Sequence, residues 1–384
     1  MIRRIATRLG VFLLASSLFL ISGCWSKVEV NERTFVTGLY IDRTDDGQVE
    51  VTISAPLPNR LVSQVGEGGG SGGSPYAIIS KTGPTIPEAV ESIQLDLSRK
   101  LSWGHTRVLT IGKSYARAGI EELLNWVNHE PLFHLSSFVL VAPGKAKELT
   151  KLTPVFEESP SEVLREFSNR HNLLTTQIQD LMLANVLDLG AAAPLLRMGM
   201  EEMVSEGNKS SPWVGQDGSA IFLDDRMVDT LTIDQTYAVS WARNELDHMF
   251  VSITSGDHIA SVKLYELEGK LKVRKENGKP VFEVHLKGKG ALRQNVPELQ
   301  SDLDVAKTVE GSVEKVITGY MESALKKARR HGSDILLLAY RLDWRYPELW
   351  KQHAESWQEY MKDAIDIRVH TDVNIQYFGA KSPA

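Results

Sequence analysis

Cys24 is the only cysteine among 384 residues, so an intramolecular disulfide and any zinc site built on two or more thiolates are excluded at once. A lone thiol offers nucleophilic sulfur chemistry. Its place after an apolar run and next to the small residues Ser22 and Gly23 points to formation of a thioether. The other residue types able to do chemistry do not assemble into a motif: there is no His-Glu-x-x-His, no Gly-x-Ser-x-Gly and no Ser-x-x-Lys with its companion motifs. His129 and His134 stand five apart with Pro131 between them, a spacing that puts them on different faces of a helix. Asp42, Asp45 and Asp46 read as turn residues, because the remaining positions of a calcium loop are unfilled. Gly68, Gly70 and Gly73 satisfy Gly-x-Gly-x-x-Gly, but a dinucleotide fingerprint must follow a strand and open a helix, and here Pro75 and a strand-like stretch come next. Residues 66–74 therefore read as a flexible surface loop. Ile111-Gly112-Lys113-Ser114 has the end of a phosphate-binding loop, yet the glycine required five residues before Gly112 is Arg107, which leaves a strand-to-helix turn. No catalytic residue, cofactor or metal site is assigned, and an enzyme is not expected.

The residues before Cys24 explain its position. Arg3, Arg4 and Arg8 precede a thirteen-residue run, 9–21, that carries no charge, a positive segment followed by an apolar one. A bilayer-spanning helix needs about 20 apolar residues, so this run is short for a span. Ile21-Ser22-Gly23-Cys24 resembles the lipobox of bacterial lipoproteins, in which a diacylglyceryl group is attached to the cysteine sulfur and cleavage leaves that cysteine first. Two acyl chains give the stable anchoring that one chain does not. Residues 1–23 are thus expected to be a signal peptide and Cys24 the lipidation site.

Loss of residues 1–23 leaves 40 Lys plus Arg against 49 Asp plus Glu, a formal charge of −9. Nucleic acid and anionic lipid headgroups both reward clustered cations, so both are poor candidates as main partners. No later segment reaches 18 consecutive apolar residues, so the rest of the chain is expected to be folded and tethered, with room for two or three cores.

The elements follow from local patterning. Residues 35–41 and 49–54 read as paired strands around Asp45-Asp46-Gly47. Thr85-Ile86-Pro87-Glu88 is a capping box that starts a helix with Ala89, Ile93 and Leu97 on one face. Strands at 107–111 and 138–142 flank a helix over 116–127, which makes a small mixed layer from about 76 to 142. Residues 150–200 read as helical, with a second capping box at Ser159-Pro160-Ser161-Glu162 and an apolar face ending near Gly190. The polar stretch 204–213 marks a boundary, giving an N-terminal domain over 24–205, divisible near 150, and a C-terminal domain over 206–384. Beyond it come strands at 220–223, 227–231, 259–267, 271–273 and 281–286, the last two joined at Asn277-Gly278, a strong hairpin signal. A long helix with Val313, Val316, Ile317, Tyr320, Ala324 and Ala328 on one face comes after them, then a helix from Pro347 carrying Trp350 and Trp357, and an alternating strand over 366–377. Trp344, Tyr346, Trp350, Trp357 and Tyr360 are expected to pack the last helix on the sheet. Strands grouped before helices, with one strand returning, indicate an α+β multi-domain fold with mixed and antiparallel sheets.

Several stretches, taken in order, resemble the Ger(x)C family, the C subunits of spore germinant receptors. They are Gly23-Cys24-Trp25 with Val28-Glu29-Val30-Asn31 and Val36-Thr37-Gly38-Leu39-Tyr40-Ile41-Asp42, residues 83–116 with Gly104-His105, Gly218-Ser219-Ala220-Ile221-Phe222, and Ser333-Asp334-Ile335 with Tyr346-Pro347, Trp350 and Trp357. Two departures fall in turns: Leu336-Leu337-Leu338-Ala339 stands where the family has Phe and a Gly-containing turn, and Asp229 where it has Gly. The resemblance implies several α+β domains and a lipoprotein on the outer face of the spore inner membrane. It also implies assembly with a transporter-like integral membrane subunit and a second multispanning subunit into a nutrient receptor that triggers germination. Only Cys24 transfers as a site residue. A substrate-binding lipoprotein of a membrane transporter shares the anchor and size but normally alternates strands and helices in two lobes, a pattern the C-terminal half breaks. A cell-envelope hydrolase is the third class.

Overall fold

The computed structural model describes residues 29–63, 73–170, 173–204, 207–255, 258–294 and 302–377. Cys24 with its leader, and most of the Gly-rich stretch, lie outside the described residues. The N-terminal half is built on an eight-stranded sheet of order β10-β9-β8-β7-β6-β2-β3-β4. Its strands are β2 (Gly38–Arg43), β3 (Val49–Pro56), β4 (Tyr76–Gly83), β6 (Val108–Ile111), β7 (Phe138–Val141), β8 (Ala191–Met203), β9 (Lys209–Leu223) and β10 (Arg226–Leu231). The neighbours β2, β6, β7 and β8 run parallel, and parallel strands need cover on both faces. Accordingly Leu39 and Ile41 point into one core with Leu109, Ile111, Val139 and Val141, while Tyr40, Val108 and Leu140 point into another on the opposite face.

The first core is roofed by α2 (Ile86–Leu95), α3 (Lys113–Ala118), α4 (Glu121–His129) and α6 (Ile178–Val186); the second by a 3-10 turn, Ala146–Lys151, and α5 (Pro160–Asn169). Thr85 and Ser159 cap α2 and α5 by accepting from the N–H of Glu88 and Glu162, as the sequence signals require. The helix expected over 116–127 is instead two, α3 and α4, because Gly119 takes φ +128 and a Cβ there would stand 2.3 Å from Asp225 Oδ2. A short helix, α1 (Pro58–Ser63), follows β3, and β1 (Arg33–Phe35) pairs in parallel with β5 (Lys100–Ser102) as a separate ribbon.

Residues 191–200, expected to be helical, form most of β8. Their alanines favour a helix, but Pro194 offers no N–H for one, and pairing with β7 and β9 decides the matter. Thirteen register pairs join β8 to β9. Residues 205–206, where the sequence places the domain division, lie between these two strands, so the first sheet continues past that point to β10.

The C-terminal half is a four-stranded sheet, β11 (His248–Ser255), β12 (His258–Glu276), β13 (Lys279–Gln294) and β14 (Asp366–Tyr377), antiparallel except for β13 with β14. Asn277 and Gly278 take φ +49 and +83 in the β12–β13 turn, the left-handed pair that an Asn-Gly hairpin demands. On the inner face lie α7 (Ile233–Ala242) and the 30-residue α8 (Asp302–His331), which buries Val309, Val313, Ile317, Met321, Ala324 and Ala328. Trp241 of α7 is fully buried and lies against Gly269 and Gly288, where a Cβ would stand 2.2 Å from Trp241 O and 2.9 Å from its ring. Glycine inside two long strands is thereby explained by the close approach of the α7 backbone at Gly269 and of the Trp241 indole at Gly288. The edge strand β14 donates the N–H of Val373 and Ile375 to Glu314 and Glu310 of α8, which closes that edge to further pairing. The outer face is open and carries Lys270, Lys272, Lys287, Arg368 and a stacked His285–His370 pair at 5.0 Å.

The two halves share one core: Leu189, Ala192, Ile221 and Leu231 belong to the same buried cluster as α7, α8 and the second sheet. At its centre Gly190, at φ +142, meets the chain leaving α8; a Cβ there would stand 2.3 Å from Ser333 Oγ and 2.8 Å from the Asp334 nitrogen. Gly190→Ala is expected to cost about 2–4 kcal/mol through backbone strain and overpacking, read as a lowered midpoint in urea denaturation with the m-value unchanged.

Candidate functional site: buried carboxylates and a cleft at the start of the described chain

Among the described residues no group of three or more His, Cys, Asp or Glu converges as a metal site. His129 ends α4 with its Nδ1 2.8 Å from Asn125 O, and His134 stands in the exposed loop beyond. Asp45 and Asp46 form the β2–β3 turn, as expected. Asp42 does not. It is 1% exposed at the end of β2, and its carboxylate accepts the N–H groups of Ala146 (2.7 Å) and Lys147 (2.8 Å). It therefore caps the 3-10 turn that roofs the second core.

Gly112 is needed beside it, since a Cβ there would stand 2.0 Å from Asp42 Oδ1. The glycine that gave Ile111-Gly112-Lys113-Ser114 its phosphate-loop look thus makes room for an aspartate. Next to it Glu50 takes Lys147 Nζ and, at 3.0 Å, Ser80 Oγ. Burial alone would raise the Glu50 carboxyl, but the Lys147 and Ser80 hydrogen bonds outweigh it and hold the group below its usual range.

Asp334 repeats the device in the C-terminal half. It is fully buried, and it accepts the N–H groups of Leu338 (2.9 Å) and Ala339 (2.8 Å), the first of α9 (Leu338–Arg345), and the Trp357 indole N–H at 3.3 Å. Ser333 donates to Phe222 O of β9 at 2.8 Å, which pins the same corner to the first sheet. Leu337 adopts φ +55 in the turn between them, so the leucine occupies a left-handed position at the point where the family pattern has a Gly-containing turn.

Trp357 carries the aromatic cluster: edge-on to Phe282 of β13 at 6.2 Å and to Trp350 at 5.3 Å, and stacked on Tyr360 at 5.6 Å. The single helix expected from Pro347 is broken. Trp350 ends α10 (Pro347–Trp350) and Trp357 opens α11 (Trp357–Asp363), and the two rings meet across the turn between the helices. Trp344 does not join them; it is 83% exposed.

The other departure, Asp229, sits at a register shift in β10 and accepts from Thr230 N–H at 2.7 Å, with His331 Nε2 at 3.2 Å. It ties β10 to the end of α8.

A cleft of about 720 Å³ opens at the start of the described chain, between residues 29–35, the end of β3 with the first turn of α1, β4, and residues 97–99. That volume lies in the range of small-molecule sites, about 300–1,000 Å³. Its walls are mostly apolar, with Val30, Phe35, Pro56 and Leu97 among them, and Arg33, Arg99 and Glu29 bring charge to it. Neither arginine has a carboxylate partner among the described residues. The sequence gives no sign of this cleft, since it draws on four separated segments that show no common motif.

Comparison with known proteins agrees with this architecture. Residues 26–190 match the family described as Spore germination protein N-terminal domain, and residues 217–379 the family described as Spore germination B3/GerAC like, C-terminal. The chain belongs to this spore germination family, the Ger(x)C proteins, and has a role in spore germination. It is 25% identical to Spore germination protein B3 of Bacillus subtilis (strain 168) over 370 residues, 94% of this chain and 96% of that one. It is 22% identical to Spore germination protein KC of the same organism over 381 residues, 94% and 93% of the two chains. The crystal structure of the GerBC protein superposes with a TM-score of 0.55 at 19% identity, covering 89% of this chain and 98% of that one, which establishes the shared α+β fold.

Burial pushes the Asp334 carboxyl above the usual carboxylate range, and the N–H groups of Ala339, Leu338 and Trp357 pull it back only in part. A carboxyl raised in this way holds its proton more tightly in the folded than in the unfolded chain. Its stabilising contribution is greatest below the unfolded pKa and is lost as the pH rises through the folded value. Asp334→Asn does not titrate and is therefore expected to fall further below the parent protein in unfolding free energy at about pH 4 than at about pH 7. Urea denaturation at the two pH values checks this, and an equal gap would contradict it.

Proposed function

We propose that this chain is a lipid-anchored, non-catalytic subunit of a spore germinant receptor. It is held on the outer face of the spore inner membrane through a diacylglyceryl group on Cys24, after removal of residues 1–23. It assembles with a transporter-like integral membrane subunit and a second multispanning subunit, and takes part in triggering germination. The observation that carries the reading is the match to the spore germination family over both halves, 26–190 and 217–379, directly behind the Arg-rich apolar leader and Ile21-Ser22-Gly23-Cys24.

The structure supports the non-catalytic part through what its polar groups do. Asp42, Glu50 and Asp334, three buried acids of the two halves, are occupied with backbone N–H groups, a lysine and an indole. Among the described residues no helix is long and apolar enough to cross a membrane. We also propose a two-part organisation in which the N-terminal unit, starting at residue 24, runs on through the β8–β9 hairpin to β10, and the C-terminal unit fills the rest of the chain.

Cys24→Ala is expected to move the chain from the membrane to the soluble fraction while leaving its thermal unfolding unchanged, because two acyl chains are the larger part of the attachment. Full retention of the variant in detergent-free membranes would overturn the anchor.

A further inference from the structure

The cleft at the start of the described chain stands close to the membrane if Cys24 is lipidated, and a ligand drawn from the bilayer depends on that part of the proposed function. From Cys24 to Glu29 the chain advances five residues, at most about 18 Å when fully extended. Glu29, Val30, Asn31, Arg33, Thr34 and Phe35 all line the cleft, so its wall begins within that reach of the acylated sulfur. Any orientation the tether allows leaves the cleft near the headgroup layer.

Its chemistry matches a molecule found there. The walls present Val30, Phe35, Pro56 and Leu97, while the charge is supplied by Arg33 and Arg99 against the single carboxylate of Glu29. The ribbon that carries these arginines is itself cationic. Arg33 on β1 is the register partner of Lys100 on β5, and Arg99 directly precedes it. Guanidinium groups bind phosphate in a bidentate fashion, and the apolar wall beside them accepts hydrocarbon. The whole chain is acidic, which makes this local excess of cations at the membrane-proximal end more telling.

We propose that the cleft binds one molecule of anionic phospholipid from the membrane that holds the chain, its phosphate on Arg33 and Arg99 and the start of its acyl region against Val30, Phe35 and Leu97. Bound in this way, the lipid fixes the orientation of the N-terminal half on the bilayer, which a flexible thioether link alone does not do.

The test uses the full chain, purified from membranes and placed in phosphatidylcholine vesicles that contain photoactivatable phosphatidylglycerol. After irradiation and digestion, label is expected on residues 29–35, 55–59 and 97–99. It should fall about tenfold or more in the double variant Arg33→Ala/Arg99→Ala, in line with loss of two charge-assisted hydrogen bonds, and be kept largely in Arg33→Lys/Arg99→Lys. Both arginines lie at the surface of the cleft, and an unchanged melting curve confirms that the variants fold. Equal label in the double variant, or equal label from a photoactivatable phosphatidylcholine, overturns the inference. Intact mass on the same sample separates the two readings. A lipidated chain that leaves the cleft unlabelled defeats the lipid site alone, and a chain lacking the added lipid mass that still labels there defeats the anchor alone.

Discussion

The corner at Ser333 and Asp334 holds the two halves of this protein together. A carboxyl group shut away from water is stable only where N–H donors replace its hydration, and at Asp334 these come from Leu338, Ala339 and the Trp357 indole. That requirement fixes where α9 starts and where α11 must return. Through Trp357 it also sets the aromatic packing on Phe282 of β13. Ser333, one residue earlier, bonds Phe222 O in the first sheet and fills the space that Gly190 leaves open. Sheet, long helix and terminal helices are thus referred to one point, and the cluster of apolar side chains around it draws on residues from Leu174 to Ile375.

Asp42 plays the equivalent part in the N-terminal half at smaller scale. One buried carboxylate satisfies the first N–H groups of a 3-10 turn, and a glycine opposite gives it room. Asp42, Glu50 and Asp334, acids by type, are consumed in holding the fold. What the molecule offers outward is different in kind: an open cationic sheet face on β12 and β13 and a cleft at the start of the described chain. These are surfaces for association, in keeping with the receptor-subunit role proposed for the chain.

Much of the fold could be read in the sequence wherever the signal is local. The Asn277-Gly278 turn, the boxes at Thr85 and Ser159, and the alternation over 366–377 report structure within a few residues, and each element stands where expected. Reading failed where distant pairing decides. Residues 191–200 carry helix-favouring alanines but lie between β7 and β9; α7 went unread although Thr232 and Gln235 form a capping box at its start, and β11 went unread as well. The two buried aspartates were hidden for the same reason: Asp42 looks like a turn residue until Ala146 arrives from 104 positions away, and Asp334 looks unremarkable until Trp357 does. The family resemblance carried the function, because its signal is the order of many weak motifs along the whole chain. The cleft had no such order to show.

The most direct measurement is purification of the tagged full chain from spore inner membranes, with mass spectrometry of what accompanies it. The expected result is recovery with a transporter-like integral subunit and a second multispanning subunit, and an acylated N-terminal Cys24. Recovery alone, or together with an ATP-driven permease, would contradict the receptor assignment and favour a solute-binding lipoprotein in its place.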